Sequence, residues 1–274
     1  MTDRCILITG CSSGIGRALA LEFHARGHIV YASARRPEAL AELAQRGLKT
    51  LALDVNDAGS IEQAIARLRE DAGRIDVLIN NAGFAAMGPL AELPLAQLRQ
   101  QYETNVFAPI ALVQAALPLL PRDARVVNIG SVSGILTTPF SGAYCSTKAA
   151  LHSLSDALRM ELAPFGVHVI TVQPGGIASE FGQHAAAGLS WLGAESRYAR
   201  IRPAIEARAN ASQDDPTPAD EFARATADAV LAEDPPIVFR YGHGSRLLPL
   251  LARWLPKRRV DRILRRRFRL DRLA

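Results

Sequence analysis

In the first 55 residues an apolar run, a glycine-rich turn, an amphipathic stretch and two further apolar runs follow one another, and this order constrains the fold more than any other feature. Cys5 to Thr9 is the first apolar run, Ile15 to Phe23 takes up helical periodicity, and His28 to Ala34 and Leu51 to Val55 are again short and strand-like. Short apolar runs separated by helices pair in parallel, because a parallel pair needs a long crossover and is buried on both faces. Ile75 to Ile79, Arg125 to Ile129, Val167 to Val172 and Ile237 to Tyr241 extend the pattern, with helices expected at Pro94 to Leu119, Ala143 to Ala163 and Asp220 to Ala232. The expected fold class is α/β: a doubly wound, parallel, seven-stranded sheet with helices on both faces.

The turn between the first strand and the first helix reads Gly10-Cys11-Ser12-Ser13-Gly14-Ile15-Gly16. Glycine lets the chain turn tightly and lets free N–H groups at the helix start approach an anion, which the helix dipole also favours. Between a strand and a helix, the loop predicts dinucleotide binding rather than an ordinary tight turn. The second strand indicates which dinucleotide. An acid about 20 residues beyond the glycines would hold a ribose 2′-hydroxyl, but Ala34, Arg35 and Arg36 stand there and no acid precedes Glu38. A guanidinium suits a 2′-phosphate, so NADP(H) is expected in preference to NAD(H); the alternative is that Arg35 and Arg36 only solvate a loop. Asp54 suits an adenine amine, or equally caps the helix that starts near Asp57.

A second group of features lies between Ser131 and Lys148. Tyr144 and Lys148 are four residues apart, which on a helix places both on one face. A free phenol with a pKa near 10 transfers protons poorly at neutral pH, and a neighbouring cation brings that value down. Tyr144 is therefore the expected acid/base. Ser131 follows the Arg125 to Ile129 run, so its hydroxyl is expected at a strand's carboxyl end, where open α/β sheets place their ligands. Asn80-Asn81-Ala82-Gly83 closes another strand with directed hydrogen-bonding groups, although any sharp turn uses the same residues. Asn105 sits inside a helical stretch with no cap to make, which predicts either a bulged, water-binding turn or a surface position.

In this order and spacing the motifs resemble the single-domain branch of the short-chain dehydrogenase/reductase family, whose fold is of Rossmann type. The resemblance covers residues 4 to 242. It implies that Tyr144 exchanges a proton with the substrate oxygen, that Ser131 hydrogen-bonds that oxygen, and that Lys148 lowers the Tyr144 pKa and holds the nicotinamide ribose. It further implies that Asn105 keeps a water in the proton path, that Gly10, Ser12, Ser13, Gly14, Ile15 and Gly16 hold the pyrophosphate and adenosine side, and that Arg35 takes the 2′-phosphate. Asp54 and Val55 would face the adenine, Asn81, Ala82 and Gly83 the adenosine ribose region, and Pro174, Gly175, Ile177 and Ser179 the nicotinamide amide. Ser179 stands where the family often has Thr, Gly130 where another Ser is common, and Cys11 at a variable loop position. Within the family the chain looks most similar to hydroxysteroid, retinol and fatty-aldehyde reductases, from Ala32 to Glu38 and from its basic end.

Charge divides the chain. Residues 246 to 274 hold eleven basic and two acidic residues, against 21 basic and 25 acidic in the remainder. Leu247, Leu248, Leu251, Trp254 and Leu255 form one apolar stripe and Val260, Ile263, Leu264 and Phe268 another, with Pro249 and Pro256 as breaks. Such a segment suits peripheral contact with an anionic membrane, and equally suits packing over the active-site mouth or against a subunit. Nucleic acid is not expected, because no reader motif accompanies the charge. The expected organisation is one catalytic domain, residues 1–245, with a lid at about 176–215, and a basic amphipathic extension, 246–274.

Phe181, Trp191, Leu192 and Tyr198 within the lid predict a lipophilic ketone, aldehyde or alcohol as substrate. No run of 18 apolar residues and no signal-peptide start is present, so a cytoplasmic protein is expected. Cys5, Cys11 and Cys145 lack metal-ligand spacing, so reduced thiols and no metal are expected. The resemblance implies a homodimer or homotetramer built on the helices around 95–119 and 143–163. The alternative function is a non-catalytic NADP-binding sensor or partner-binding protein, usually marked by loss of Tyr144, Lys148 or Ser131, all of which are present. An extended-family epimerase or dehydratase needs a substrate domain for which this chain leaves little room.

Overall fold

A computed structural model describes residues 3–273; Met1, Thr2 and Ala274, at the outer ends of the two expected segments, lie outside the described residues. Seven strands form one sheet: β1 Cys5–Ile8, β2 Ile29–Ala34, β3 Lys49–Ala52, β4 Val77–Asn80, β5 Arg125–Ile129, β6 His168–Pro174 and β7 Val238–Tyr241. Their order is β3-β2-β1-β4-β5-β6-β7 and every neighbouring pair is parallel. The order reverses between β1 and β4, so the crevice that binds ligands in such sheets opens at the carboxyl ends of these strands.

The helices are α1 Gly14–Ala25, α2 Ala41–Gln45, α3 Ala58–Asp71, α4 Leu95–Tyr102, α5 Ala108–Ala116 and α6 Gly142–Leu162. They continue with α7 Phe181–Ala187, α8 Arg202–Asn210, α9 Ala219–Leu231, α10 Leu247–Trp254 and α11 Lys257–Arg267. Strand alternation divides the core between the two faces. Ile6 and Ile8 of β1 join Leu19 and Phe23 of α1 and Phe222 and Val230 of α9 on one face. Cys5 and Leu7 join Ile61 and Leu68 of α3 and Leu112 of α5 on the other. Each such fully buried aliphatic side chain contributes about 1.5–3 kcal/mol, which makes the sheet a rigid platform for its carboxyl edge.

Three expectations are corrected. The third strand is Lys49–Ala52 rather than Leu51 to Val55. The stretch from Pro94 to Leu119 is not one regular helix: a π turn at Glu103–Phe107 separates α4 from α5. That turn directs Asn105 inward, where it is buried, so the surface reading of Asn105 fails and the bulged one holds. Pro249 does not break the C-terminal segment, because it is the third residue of α10, where its missing N–H has no intrahelical partner to lose. Pro256 does separate α10 from α11.

Candidate active site

The glycine loop is built by close packing against the end of β4. Gly10 and Gly14 have φ of +72° and +56°, backbone that side chains rarely tolerate. A Cβ on Gly16 would overlap the Gly10 carbonyl and the Asn81 amide. Asn81 Nδ2 donates to Thr9 O at 2.8 Å and Gly10 O at 3.1 Å, and the N–H groups of Asn81 and Ala82 donate to Thr9 Oγ1 at 3.0 and 2.9 Å. Ser13 occupies the N-cap of α1 without a side-chain capping bond, so the first helical N–H groups have no side-chain partner. They border a groove lined by Ser12, Ser13, Gly14 and Ser179, where Ser179 Cβ lies so near that a Cβ on Gly14 would be 3.1 Å from it.

Other expected positions arrive at the same edge. Arg35 and Arg36 are exposed just beyond β2, whereas Arg17, on α1, is held by Glu42 at 2.6 Å. Of the two readings of Asp54, the cap fails: Asp57 caps α3 by accepting from Ser60 N–H at 2.6 Å, while Asp54 Oδ1 accepts from Asn56 N–H at 3.0 Å. Val55 is buried beside it. Gly175 N–H donates to Tyr241 O at 2.9 Å, and Gln213 bridges Ile177 and Ser179, accepting from Ser179 N–H at 3.1 Å and donating to Ile177 O at 3.1 Å. Pro174 ends β6.

Ser131, Tyr144 and Lys148 converge where β5 meets the start of α6. Lys148 Nζ donates to Ile129 O at 2.7 Å and lies 5.7 Å from the centroid of the Tyr144 ring. Ser131 is buried at the end of β5, its hydroxyl accepting from Ser133 N–H at 3.1 Å. Asn105 accepts from Phe84 N–H at 3.1 Å and donates to Phe84 O at 3.0 Å and Thr147 Oγ1 at 3.1 Å. It thereby fixes the loop after β4 to α6. Gly83 fits between them: a Cβ there would lie 3.0 Å from Asn105 Oδ1 and 3.8 Å from Lys148 Nζ.

Burial dominates the electrostatics. It pushes the Tyr144 phenol up to about 12, with the Ser131 hydroxyl and, less strongly, the Arg208 guanidinium pulling it down. The expectation that the phenol lies below its ordinary value is therefore not met, because desolvation of the phenolate outweighs these groups. Burial alone brings Lys148 down to about 8. The three cysteines are free and buried, and burial raises Cys5 to about 11 and Cys11 to about 12, as expected of unreactive thiols.

A family model described as short chain dehydrogenase matches residues 4–189, the stretch that contains these groups. The chain belongs to the short-chain dehydrogenase/reductase family. Membership makes it an oxidoreductase that interconverts carbonyl and CH–OH groups. It is 37% identical over 196 residues, 68% of this chain and 69% of the relative, to the NADPH-dependent 3-dehydrocapnine reductase of Ornithobacterium rhinotracheale. It is 32% identical to the short-chain dehydrogenase RED1 of Pyricularia oryzae, covering 99% of this chain and 97% of the relative. A solved short-chain dehydrogenase from Streptomyces avermitilis superposes with a TM-score of 0.80 at 30% identity, over 99% of this chain and 98% of the other. These proteins do not single out the hydroxysteroid, retinol or fatty-aldehyde branch.

Around this dehydrogenase/reductase site stand Phe181, expected in the lid, and two residues that sequence reasoning missed, His152 and Arg208. The Phe181 ring lies 5.5 Å from that of Tyr144 and closes an apolar cluster of Phe140, Leu189, Leu192, Ile205 and Phe268. His152, one turn beyond Lys148, reaches Ser131 N–H at 3.4 Å; burial, with Lys148 and Arg240, brings it down to about 4, so the ring is neutral. The pair Gly130 and Gly134 flanking Ser131, Val132 and Ser133 is the signal available for it. Arg208 approaches the first turn of α6 from α8, a contact no local pattern announces.

Proposed function

We propose that the protein is an NADP-dependent oxidoreductase acting on a lipophilic ketone or aldehyde, or the corresponding alcohol, with Tyr144 as general acid/base. The observation that carries the reading is the convergence of Ser131, Tyr144 and Lys148 at the carboxyl edge of the sheet, beneath the apolar cluster that includes Phe181. When bound, the nicotinamide supplies or accepts the hydride. Burial, which raises Tyr144 to about 12, keeps it in the protonated, donating form across the neutral range, while making it a weaker acid than a free phenol. Ser131 orients that oxygen. Both N–H donors of Asn105 are taken, which leaves one lone pair of Oδ1, beside Gly83, for a water in the proton path.

The cofactor assignment is supported by the glycine loop, in which Gly16 packs against Gly10 O and Asn81 too closely for a side chain, and by the uncapped start of α1, which suits a pyrophosphate. Arg35, exposed beyond β2, would take the 2′-phosphate, Asp54 and Val55 the adenine, and Asn81 to Gly83 the neighbouring ribose. Lys148 would hold the nicotinamide ribose, and Pro174, Gly175, Ile177 and Ser179 the nicotinamide amide. The relative from Ornithobacterium rhinotracheale, whose name states NADPH dependence, supports NADP(H) in preference to NAD(H).

In this reading the 1–245 segment is one catalytic domain in which residues 176–215 act as a lid, and 246–274 is an extension with two tasks. Leu264 and Phe268 pack on the apolar cluster and cap the substrate side. Leu247, Leu250 and Trp254 of α10 are exposed among arginines and face an anionic lipid surface, from which a lipophilic substrate enters. No helix among the described residues is long and apolar enough to cross a membrane, so any contact is peripheral. Exposed Phe107 and Leu117 near α5, with Leu154, Met160 and Phe165 near α6, offer the apolar surface for a homodimer or homotetramer.

A fluorescence titration with NADPH and separately with NADH tests the cofactor reading. A preference for NADPH of tenfold or more, about 1.4 kcal/mol, is expected. Equal affinity removes Arg35 from the site, and binding of neither removes the function. Sedimentation with anionic vesicles, with and without residues 246–274, tests the lipid contact; unchanged sedimentation on deletion overturns it.

A further inference from the structure

We infer that the substrate carries an oxyanion, a phosphate or a carboxylate, a few bonds from its carbonyl, and that Arg208 binds it. This rests on the proposed function and narrows the lipophilic carbonyl compound to an amphiphile whose carbonyl lies beside a charged head. Arg208, on α8, reaches the loop that joins Ser131 to Tyr144. Its Nε donates to Thr138 Oγ1 at 2.8 Å and its Nη2 to Ser141 Oγ at 3.0 Å. Ser141 is fully buried and immediately precedes α6, so the guanidinium is seated about one helical turn before Tyr144. Its Cζ lies 6.0 Å from the Phe268 ring centroid, and Ile205 and Ala209 of the same helix belong to the apolar cluster against which Tyr144 packs. The cation thus stands where the reacting end of the site meets its apolar part.

No carboxylate neutralises this charge. None of the ion pairs among the described residues includes Arg208, and Glu206, the one acid of α8, is held by Arg202 at 2.8 Å. Burial works against the cation, as does the like charge of Arg267, which precedes Phe268 at the end of α11. A positive charge at the start of α6 also opposes the helix dipole. Holding a guanidinium partly out of water on neutral hydroxyls is costly, and the missing counter-charge is an anion that the chain does not supply. Thr138 and Ser141 fix Nε and Nη2, while Nη1 has no hydrogen-bond partner among the described residues, so the fork is already oriented for an oxyanion. The anionic group is bound and left intact. The bonds that change are those of the carbonyl, which gains the cofactor's hydride at carbon and the Tyr144 proton at oxygen.

The test compares two substrates with NADPH: a medium-chain α-hydroxy ketone and the phosphate monoester of the same hydroxyl, both below the concentration at which they aggregate. The readout is the ratio of kcat/KM, phosphate ester over hydroxy ketone, from which general damage to a variant cancels. A ratio of about tenfold or more is expected in the wild type and a ratio near one in Arg208→Gln, with Arg208→Lys between them because the charge stays and the fork is lost. A wild-type ratio of one or less, or an undiminished ratio in Arg208→Gln, overturns the inference. A second measurement needs no variant: an alkyl phosphate should inhibit reduction of the hydroxy ketone competitively, and inorganic phosphate at the same concentration should not. Equal inhibition by both would assign the cation to a free anion and overturn the inference as well. Turnover of neither ketone, with NADPH still bound, would instead remove the proposed function and the inference with it.

Discussion

The imidazole of His152 occupies the space that a side chain on Gly130 would need. A Cβ at Gly130 would overlap the ring and come within 3.0 Å of Val172 O, and one at Gly134 would lie 2.6 Å from the ring's Cε1. His152 thereby sits under the loop that carries Ser131, whose N–H points to its Nε2.

Gly130→Ser is expected to destabilise the protein by about 1–3 kcal/mol through overpacking, and to slow turnover by displacing Ser131. In a His152→Ala background the same change should cost less, because the ring no longer fills the space and only the approach to Val172 O remains. Denaturant titration and kcat in the two backgrounds measure this coupling; an equal cost in both would contradict it.

His152 also gives the fold a pH dependence. Its unfolded value is near 6.5 and its folded value about 4, so between them the unfolded chain binds a proton that the folded chain does not. The folded state is unpenalised above 6.5 and loses stability as pH falls toward 4, by about 2 kcal/mol between pH 7 and pH 5. Unfolding free energies from urea titrations at these two pH values should differ by that amount more in the wild type than in His152→Gln; identical differences would refute the placement of the ring as a buried neutral base.

Much of the fold was legible because parallel strands buried on both faces must be continuous apolar runs, as Cys5 to Ile8 and Arg125 to Ile129 are. The third strand was misplaced because Lys49–Ala52 lies at the sheet edge, half-buried, so hydrophobicity does not mark it, while Leu53 and Val55 are buried beyond the strand. The glycine loop, Asn81, Ser131, Tyr144 and Lys148 could be read because backbone geometry and helical spacing fix them locally. His152 and Arg208 could not, since each reaches a loop distant in sequence. The tail's amphipathic pattern is the same whether its apolar face meets lipid or protein; only the packing of Leu264 and Phe268 separates the two stripes.

Asn81 staples the glycine loop through two bonds from one amide nitrogen. Asn81→Ala should leave two backbone carbonyls short of a donor, cost about 1–3 kcal/mol of stability, and weaken cofactor binding. Calorimetric melting with and without NADPH reads both effects; an unchanged melting temperature without cofactor would contradict the staple.

Arg35→Ala should weaken NADPH binding by tenfold or more, about 1.4 kcal/mol, and leave NADH binding unchanged, because only the 2′-phosphate is lost as a partner. Equal losses for both cofactors would mean that Arg35 acts on something common to them.

The most direct test of the account is NADPH oxidation with a panel of lipophilic ketones and aldehydes, in the wild type and in Tyr144→Phe, with NADPH affinity measured on the same samples. Turnover in the wild type, a loss of at least about 100-fold in Tyr144→Phe, and the same NADPH affinity in both are expected. Turnover in Tyr144→Phe within a few-fold of the wild type would contradict the assignment of Tyr144.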